Sequence, residues 1–248
     1  MRRRLLRLFE RLMAMTPFEV RRCVPSVTLD PLDLILTNYD GRGEKITVLQ
    51  IGACDGITND PIHRHVAKGA ARAILVEPNP YSFERLQKNY AGIENVTLIQ
   101  SAIGELDGEA QLYRMKRTGI ADSETDLTLQ IASFYKEHLK HHGKKADQIE
   151  RIAVPCRSLS SLVAELGLSK IDLLQIDAEG FDAAVVRMAL KLPVLPFCIN
   201  FEHTHLRRAD RRPLFDLLKA NGYLLGHDDW NVLALQGPLM EQWKEARP

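Results

Sequence analysis

From residue 46 onward, short apolar runs alternate with amphipathic stretches. The runs at 46–51, 73–77 and 96–100 are rich in Val, Ile and Leu, which is typical of strands buried on both faces. The pattern resumes later and predicts strands at 171–176, 197–202, 223–227 and 232–235, with helices over about 182–191 and 208–220. This alternation predicts a doubly wound α/β domain with a mainly parallel sheet and right-handed crossovers. We expect this domain to span residues 45–240.

Two helix starts lie between the first three predicted strands. Asn59-Asp60-Pro61 and Asn79-Pro80 each place a capping side chain before a proline. Proline suits the first helical turn because that position needs no N–H donor. We therefore expect a helix to begin at each site.

Residues 1–44 form a predicted helical extension. Residues 2–22 carry seven Arg and two Glu, and their apolar residues recur at helical spacing. A basic amphipathic helix either contacts an anionic membrane surface or a partner, or docks on the domain with solvated arginines. Docking is the more ordinary interpretation, and peripheral membrane contact stays open.

Residues 115–150 interrupt the regular alternation, which indicates an insertion. A polar opening at 116–126 precedes a predicted helix from 127 to about 141, whose end is rich in Lys and His. Insertions on a regular scaffold often carry substrate selectivity. The alternative is a solvated surface helix, and the sequence leaves both open.

Composition narrows the classes of protein that fit. The 248 residues are 45% hydrophobic, enough to build a core, and the net charge of +1 gives no basic field for nucleic acid. The four cysteines form no CxxC pair, and the chain shows no secretory pattern and no run of about 20 apolar residues. We expect a cytoplasmic protein with no nucleic-acid partner.

A glycine-rich turn follows the first predicted strand, and an acidic residue ends the second. Gly52-Ala53-Cys54-Asp55-Gly56 lets the backbone approach a ligand, while Glu77 is placed to accept hydrogen bonds from ribose hydroxyls. Together they predict a nucleoside-containing cofactor. The spacing G-x-x-x-G lacks the pyrophosphate cradle of G-x-G-x-x-G, so S-adenosylmethionine fits better than NAD.

Over roughly residues 45–236, the sequence resembles the FkbM family of S-adenosylmethionine-dependent methyltransferases. The motifs that carry the resemblance are Val-Leu-Gln-Ile-Gly-Ala-Cys-Asp-Gly at 48–56, Val-Glu-Pro-Asn-Pro at 76–80, Ser-Ala-Ile-Gly at 101–104, Ile-Asp-Ala-Glu-Gly at 176–180 and Trp-Asn-Val-Leu-Ala-Leu at 230–235. The resemblance implies a class I methyltransferase fold, Rossmann-like, with a seven-stranded sheet whose last strand runs antiparallel. A short polar turn between 223–227 and 230–235 independently suits such a hairpin.

The resemblance also implies which residues bind the cofactor. They are Gly52, Asp55 and Gly56 for the methionine portion, Glu77 for the ribose, Ser101 and Ala102 for the adenine edge, and Asp177 after the strand at 171–176. Two positions depart from the family pattern. Gln50 stands where an acidic residue is common, and Gln175 stands where lysine is common.

Polar side chains follow two neighbouring predicted strands. Asp177 follows the strand at 171–176, and Glu202 and His203 follow the apolar part of the next one. Because the carboxyl ends of parallel strands share one edge, we expect these three residues to form the catalytic site. Transfer to a hydroxyl needs a general base, for which His203 is favoured slightly over a structural role. For Asp177 the alternative is a helix cap.

A divalent ion is a weaker expectation for the same edge. Carboxylate and imidazole are acceptable ligands, so Asp177, Glu202 and His203 are candidate metal residues. No diagnostic ligand spacing supports them, and we expect no metal site. His205 and His227 are expected to be structural or surface residues.

The sequence thus predicts a methyltransferase that uses S-adenosylmethionine to O-methylate a sugar or another small-molecule metabolite, an acceptor class supplied by the family resemblance. Two alternatives stay open. One is a nicotinamide-dependent oxidoreductase using the same crevice, and the other is a non-catalytic cofactor-binding module that docks a partner through the basic helix.

Overall fold

The computed structural model describes residues 32, 36–37, 45–116, 131–141, 145–206, 208–227 and 229–237. All of them fall within one compact unit, Pro31–Pro248. The predicted basic helix at 2–22 lies outside the described residues, as do 117–130 and 142–144 of the predicted insertion. Among the described residues, no helix combines the length and apolar character needed to cross a bilayer.

The described chain contains eleven strands and six α-helices. The strands are β1 Ile46–Ile51, β2 Ala71–Val76, β3 Val96–Ile99, β4 Ala102–Gly104, β5 Gly108–Met115, β6 Ala132–Ser133, β7 Ile149–Ser158, β8 Leu173–Ile176, β9 Cys198–Glu202, β10 Tyr223–His227 and β11 Asn231–Gln236. The helices are α1 His63–Ala67, α2 Pro80–Asn89, α3 Lys136–His141, α4 Leu159–Glu165, α5 Asp182–Ala189 and α6 Arg208–Ala220. The seven predicted strands and the two later helices are present, with ends shifted by at most two residues.

A seven-stranded sheet in the order β10-β11-β9-β8-β1-β2-β3 forms the centre of the unit. The strands from β9 to β3 pair in parallel, and β11 runs antiparallel to both of its neighbours. This is a mixed, Rossmann-like α/β sheet rather than a purely parallel one. The expected antiparallel last strand is confirmed.

Both faces of this sheet are covered. Successive side chains of a strand point to opposite faces, so Val48 and Leu49 enter different cores. Leu49 packs with residues of α4, α5 and α6, including Leu162, Val185 and Leu214. Val48 packs with residues of α1 and α2 and with Leu32 and Leu36. Burial on both sides explains the continuous apolar runs and confirms the doubly wound arrangement.

A second sheet in the order β4-β7-β5-β6 was not predicted. Its main strands, β5 and β7, alternate between buried and more exposed positions and pair in antiparallel register over eight residues each. They therefore lack the continuous apolar run by which strands of the large sheet were recognised. This small sheet lies within the stretch between the predicted strands at 96–100 and 171–176.

The predicted helix from 127 to about 141 is partly wrong. Ala132 and Ser133 form β6, which pairs with Arg114 and Tyr113 of β5, and α3 begins only at Lys136. Pairing with a distant strand thus overrides the local helical pattern.

One of the two predicted helix starts is confirmed, and the other is shifted along the chain. Asn79 caps α2, because its side chain accepts a hydrogen bond from the Tyr81 N–H and Pro80 occupies the first turn. At the other site α1 begins two residues after Pro61, so this proline precedes the helix. The Asp60 carboxylate still accepts hydrogen bonds from the N–H groups of Ile62 and His63, at 2.7 and 2.9 Å.

The turn after β1 meets the turn after β8 at Gly52. The φ angle of Gly52 is +81°, and a Cβ added there would lie 1.7 Å from the carbonyl oxygen of Asp177. Its N–H donates to the carbonyl oxygen of Val76 at the end of β2, at 2.9 Å. Glycine is therefore required for the close approach of these three strand ends.

The turn after β8 depends on a buried carboxylate at the start of α5. Asp182 accepts hydrogen bonds from the N–H groups of Ala178 and Gly180, at 3.4 and 3.3 Å. Burial is the main reason that the pKa of Asp182 is raised from 3.8 to about 7. The folded protein therefore holds a proton there that the unfolded chain releases near pH 4.

We expect Gly52→Ala to destabilise the protein more than Gly69→Ala. Gly69 has a similar φ of +77°, and no atom of the described residues lies within 4 Å of an added Cβ, so Gly69→Ala reports the backbone strain alone, about 1–2 kcal/mol. The clash with Asp177 adds about 1–3 kcal/mol at Gly52. Denaturant unfolding of both variants measures the difference. Equal losses would contradict the close approach.

We expect the contribution of Asp182 to stability to decline as the pH rises from about 4 to about 7, because the folded carboxyl keeps its proton in that range while the unfolded one does not. The parent should lose more free energy of unfolding between pH 5 and pH 8 than Asp182→Asn does. Asp216→Asn, at an exposed position of α6, is the control. An unchanged pH slope in Asp182→Asn would refute this assignment.

Candidate functional site

A cavity of about 240 Å³ opens at the carboxyl ends of the central strands. One wall is the turn after β1, and a second comes from the ends of β2 and β8 with the turn that follows β8. The small sheet supplies the third wall through β4, β5 and β6. In open α/β sheets this edge is where ligands bind.

The structure brings most of the predicted cofactor residues to this cavity. Gly52, Glu77, Ser101, Ala102 and Asp177 all line it. The glycine-rich turn and the acidic end of the next strand therefore share one space, as the sequence predicted.

Asp55 lies outside the lining and shapes the turn from within. It is only 2% exposed, and its carboxylate accepts hydrogen bonds from the N–H groups of Ile57 and Thr58, at 3.0 and 2.8 Å, and from the Thr58 hydroxyl at 2.7 Å. Burial by itself raises the pKa of Asp55, but these hydrogen bonds from Thr58 and Ile57 outweigh it and hold the pKa below its ordinary value. The carboxylate is thus used inside the turn.

Gly56 also lies outside the lining. Its φ is +71°, and an added Cβ would lie 2.4 Å from the ring of Tyr90 and 2.5 Å from Leu86. Gly56 therefore lets the turn pack directly on α2, and it contributes to the cavity by placing the residues before it.

Glu77 joins the ends of the first two strands. One carboxylate oxygen accepts a hydrogen bond from the Cys54 N–H at 2.8 Å, and the other accepts one from the Asn79 N–H at 2.7 Å. Burial raises the pKa of Glu77 to about 7 in spite of these hydrogen bonds, and the charge of Glu179 raises it further. Each oxygen has a second lone pair, so the side chain can still accept a hydrogen bond from a ligand in the cavity.

Gln50 offers an unused acceptor beside the same cavity. Its side chain is 3% exposed, and its amide nitrogen donates to the Asp60 carboxylate at 2.9 Å. Its carbonyl oxygen is buried and has no hydrogen-bond partner among the residues that the structure describes. A buried polar atom without a partner is costly, so this oxygen is well placed to accept a hydrogen bond from a ligand. By contrast, the carbonyl oxygen of Gln175 accepts a hydrogen bond from Asn200 at 2.8 Å.

Carboxylates crowd the inner end of the cavity. Asp177 is exposed to the open space of the cavity. The cavity walls nevertheless desolvate its carboxyl, which raises the pKa of Asp177 well above its ordinary value, and the charges of neighbouring carboxylates raise it further. Those neighbours are Glu179, Asp182, Glu202 and Glu77. In the described part of the chain, no Lys or Arg forms an ion pair with these five groups. The site is therefore strongly acidic.

His203 lies outside the cavity lining. Its backbone N–H donates a hydrogen bond to the carbonyl oxygen of Trp230 at 2.9 Å, and its backbone carbonyl oxygen accepts one from the Arg211 side chain. The centroid of its ring lies 6.0 Å from that of the His227 ring. It belongs to the packing between β9, the β10–β11 hairpin and α6. Glu202 also lies outside the lining.

His138 approaches the site although sequence reasoning missed it as a functional residue. It comes from α3 in the predicted insertion and is 7% exposed. Its Nε2 lies 2.6 Å from the Glu179 carboxylate. His205, expected to be structural or at the surface, has its Nε2 3.3 Å from Glu202. Nothing in the local sequence links His138 to a partner 41 residues away.

Two aromatic rings form part of the cavity wall. Phe134 follows β6, Phe181 precedes α5, and their ring centroids are 4.5 Å apart in the cavity wall. The Tyr135 ring lies 6.3 Å from Phe181 and is 51% exposed. The site therefore combines apolar rings with acidic groups, an arrangement that suits a cationic ligand with flat parts.

The chain matches a known protein family. A sequence model described as the methyltransferase FkbM domain matches residues 50–225. The 2-O-methyltransferase NoeI of Sinorhizobium fredii (strain NBRC 101917 / NGR234) is 28% identical over 140 residues, which cover 56% of this chain and 55% of NoeI. The match thus spans about half the length of that relative.

Two solved structures are more distant. A methyltransferase FkbM from Methylobacillus flagellatus KT has 14% identity and a TM-score of 0.46, over 77% of this chain and 44% of that one. An Aeropyrum pernix fibrillarin with natively bound S-adenosyl-L-methionine has 13% identity and a TM-score of 0.42, over 82% and 74%. The assignment comes from the family match, which covers well over half of the sequence: the chain belongs to the methyltransferase FkbM domain family.

Proposed function

We propose that this protein is an S-adenosylmethionine-dependent methyltransferase that acts on a hydroxyl group of a sugar or another small molecule. The observation that carries the proposal is the shared cavity of the Gly52 turn and Glu77, found in a chain of the methyltransferase FkbM family. A nicotinamide-dependent oxidoreductase has no comparable support, because the turn lacks the pyrophosphate cradle.

The residues present fit the methionine end of this cofactor. S-adenosylmethionine carries a sulfonium, an ammonium and a carboxylate, so its net charge is positive and an acidic cavity attracts it. The unpartnered carbonyl oxygen of Gln50 would accept a hydrogen bond from the ammonium group. Gln50 would therefore bind the ammonium group through a neutral oxygen, at a position where the resemblance to the family implies an acidic residue. Gly52 lines the same cavity, while the space that a Cβ would need is taken by the carbonyl oxygen of Asp177.

The adenosine end fits the second and third walls. Glu77 would accept hydrogen bonds from the ribose hydroxyls through its remaining lone pairs. Ser101 and Ala102 would lie along the adenine, with the apolar side chains of Ile103 and Leu112 beside them. The Ser101 hydroxyl already donates to the carbonyl oxygen of Ala102 at 2.9 Å, which holds this edge in place. Asp55 and Gly56 act indirectly by shaping the turn.

The rate of methyl transfer depends on how the acceptor and the methyl group are positioned. When bound, the cofactor supplies an electrophilic methyl group on sulfur. The cavity walls align the acceptor oxygen with that methyl, since an in-line displacement depends on near-attack geometry. The Asp177 carboxylate faces this space and would accept the proton that the acceptor hydroxyl loses when its oxygen takes the methyl group.

The class of acceptor has separate support. NoeI is named a 2-O-methyltransferase, which favours a hydroxyl oxygen as the methylated atom. The exposed ring of Tyr135 beside Phe181 offers an apolar face at which a small acceptor can pack. A cytoplasmic location, the absence of a nucleic-acid partner and membrane contact through the N-terminal helix stay predictions.

Calorimetry with S-adenosylmethionine tests cofactor binding directly. We expect the parent to bind, and Glu77→Gln to weaken affinity by about 10–100-fold, the loss typical of a hydrogen bond to a charged group. Glu94→Gln removes the same charge at an exposed position away from the cavity and should bind like the parent. Thermal melting checks that Glu77→Gln folds. A parent that does not bind the cofactor would remove the proposal.

Transfer of a radiolabelled methyl group to a panel of sugars and hydroxylated metabolites tests the reaction. We expect labelled ether products, and we expect Asp177→Asn to lower turnover by about 10²–10⁴-fold through loss of the base. Asp147→Asn, at an exposed position, serves as the matched control. Full turnover in Asp177→Asn would exclude Asp177 as the base, and a cofactor-binding protein that labels no hydroxyl would exclude the proposed acceptor class.

A further inference from the structure

Three side chains from separate segments converge beside the cavity. His138 comes from α3, Glu179 from the turn after β8, and His205 from the loop after β9. One nitrogen or oxygen atom of each lies within 4.8 Å of those of the other two. The rings of His138 and His205 are 4.5 Å apart, with the planes at 81°. We call these three residues the His-Glu-His cluster.

The donors of the cluster are those of a transition-metal site. Two imidazoles and one carboxylate bind Zn²⁺ in several metalloenzymes, and they also form the facial set of non-haem Fe²⁺ sites. Three protein ligands leave a coordination position open for water or substrate. Glu179 has a φ of +48°, a strained conformation for a residue with a side chain, and such strain is common at binding sites.

The charge around the cluster favours a cation. His138 and His205 are paired with Glu179 and Glu202, at 2.6 and 3.3 Å. Asp177 adds a further carboxylate, and in the described residues no Lys or Arg is ion-paired with any of these acids. Glu202 is also placed as the outer carboxylate that orients a ligating histidine.

The cluster adjoins the space in which the reaction is proposed. Glu179 lines the cavity together with Asp177 and Phe181. The hydroxyl of the Ser133 side chain donates to the carbonyl oxygen of Glu179 at 2.7 Å, which ties the small sheet to this turn. An ion held by the cluster would therefore border the cavity.

We propose that the His-Glu-His cluster of His138, Glu179 and His205 binds one divalent transition-metal ion, whose open position takes the acceptor hydroxyl. This set differs from Asp177, Glu202 and His203, the metal candidates of the sequence. The catalytic use rests on the proposed function: the metal-bound hydroxyl loses its proton to Asp177, its oxygen bonds to the methyl carbon, and the sulfur keeps the electrons of the broken bond.

Titration of the full chain with ZnCl₂ alone, without S-adenosylmethionine, tests the site by calorimetry. We expect one ion per chain. His138→Ala and His205→Ala each remove a ligand and should weaken binding by at least the 10–100-fold typical of losing an outer carboxylate. His63→Ala, on α1, is the matched control and should bind like the parent. No binding to the parent, or an equal loss in His63→Ala, would overturn the proposal.

Two further measurements complete the design. Glu179→Gln keeps the shape of the side chain and removes its charge, so it should weaken Zn²⁺ binding even if an alanine variant fails to fold. S-adenosylmethionine binding is measured separately in EDTA. A protein that binds Zn²⁺ but not the cofactor retains the metal site and loses the proposed function. A protein that binds the cofactor but not Zn²⁺ loses the metal site alone.

Discussion

The close approach of Gly52 to the carbonyl oxygen of Asp177 is the constraint on which the site depends. It allows the turns after β1 and β8 to meet, and the N–H of Gly52 ties the same point to the end of β2. Glu77 then bridges the backbone on both sides of this junction. Because these contacts are made at the strand ends, the large sheet holds two walls of the cavity, and the small sheet supplies the third.

Around this junction the protein gathers acidic groups, and in the part of the chain that the structure describes no lysine or arginine forms an ion pair with Glu77, Asp177, Glu179, Asp182 or Glu202. Desolvation is the main reason that the pKa values of Glu77, Asp177 and Asp182 are raised, and the charges of neighbouring carboxylates raise them further. A positively charged cofactor and a divalent ion would each relieve this repulsion. The proposed methyl donor and the proposed metal thus follow from one electrostatic feature, although separate residues would hold them.

The small sheet contains the strands that the sequence pattern did not predict. Its strands alternate between buried and exposed positions, so they lack the apolar runs that marked β1, β2 and β8. The same sheet brings Ala102, Leu112 and Ser133 to the cavity, and the segment after β6 carries His138 to Glu179. The stretch with the weakest pattern therefore supplies one wall of the site and one member of the His-Glu-His cluster.

Local residue patterns were enough to place the central strands and the cap at Asn79, because each depends on neighbouring residues. The meeting of the Gly52 turn with Glu77 was predicted from the expected parallel pairing of β1 and β2. Other features depend on contacts between residues far apart. The position of His203 against the β10–β11 hairpin and the approach of His138 to Glu179 both arise when distant segments pack. Hydrophobic periodicity reports which face of an element is buried, and it carries no information about which partner that face will meet.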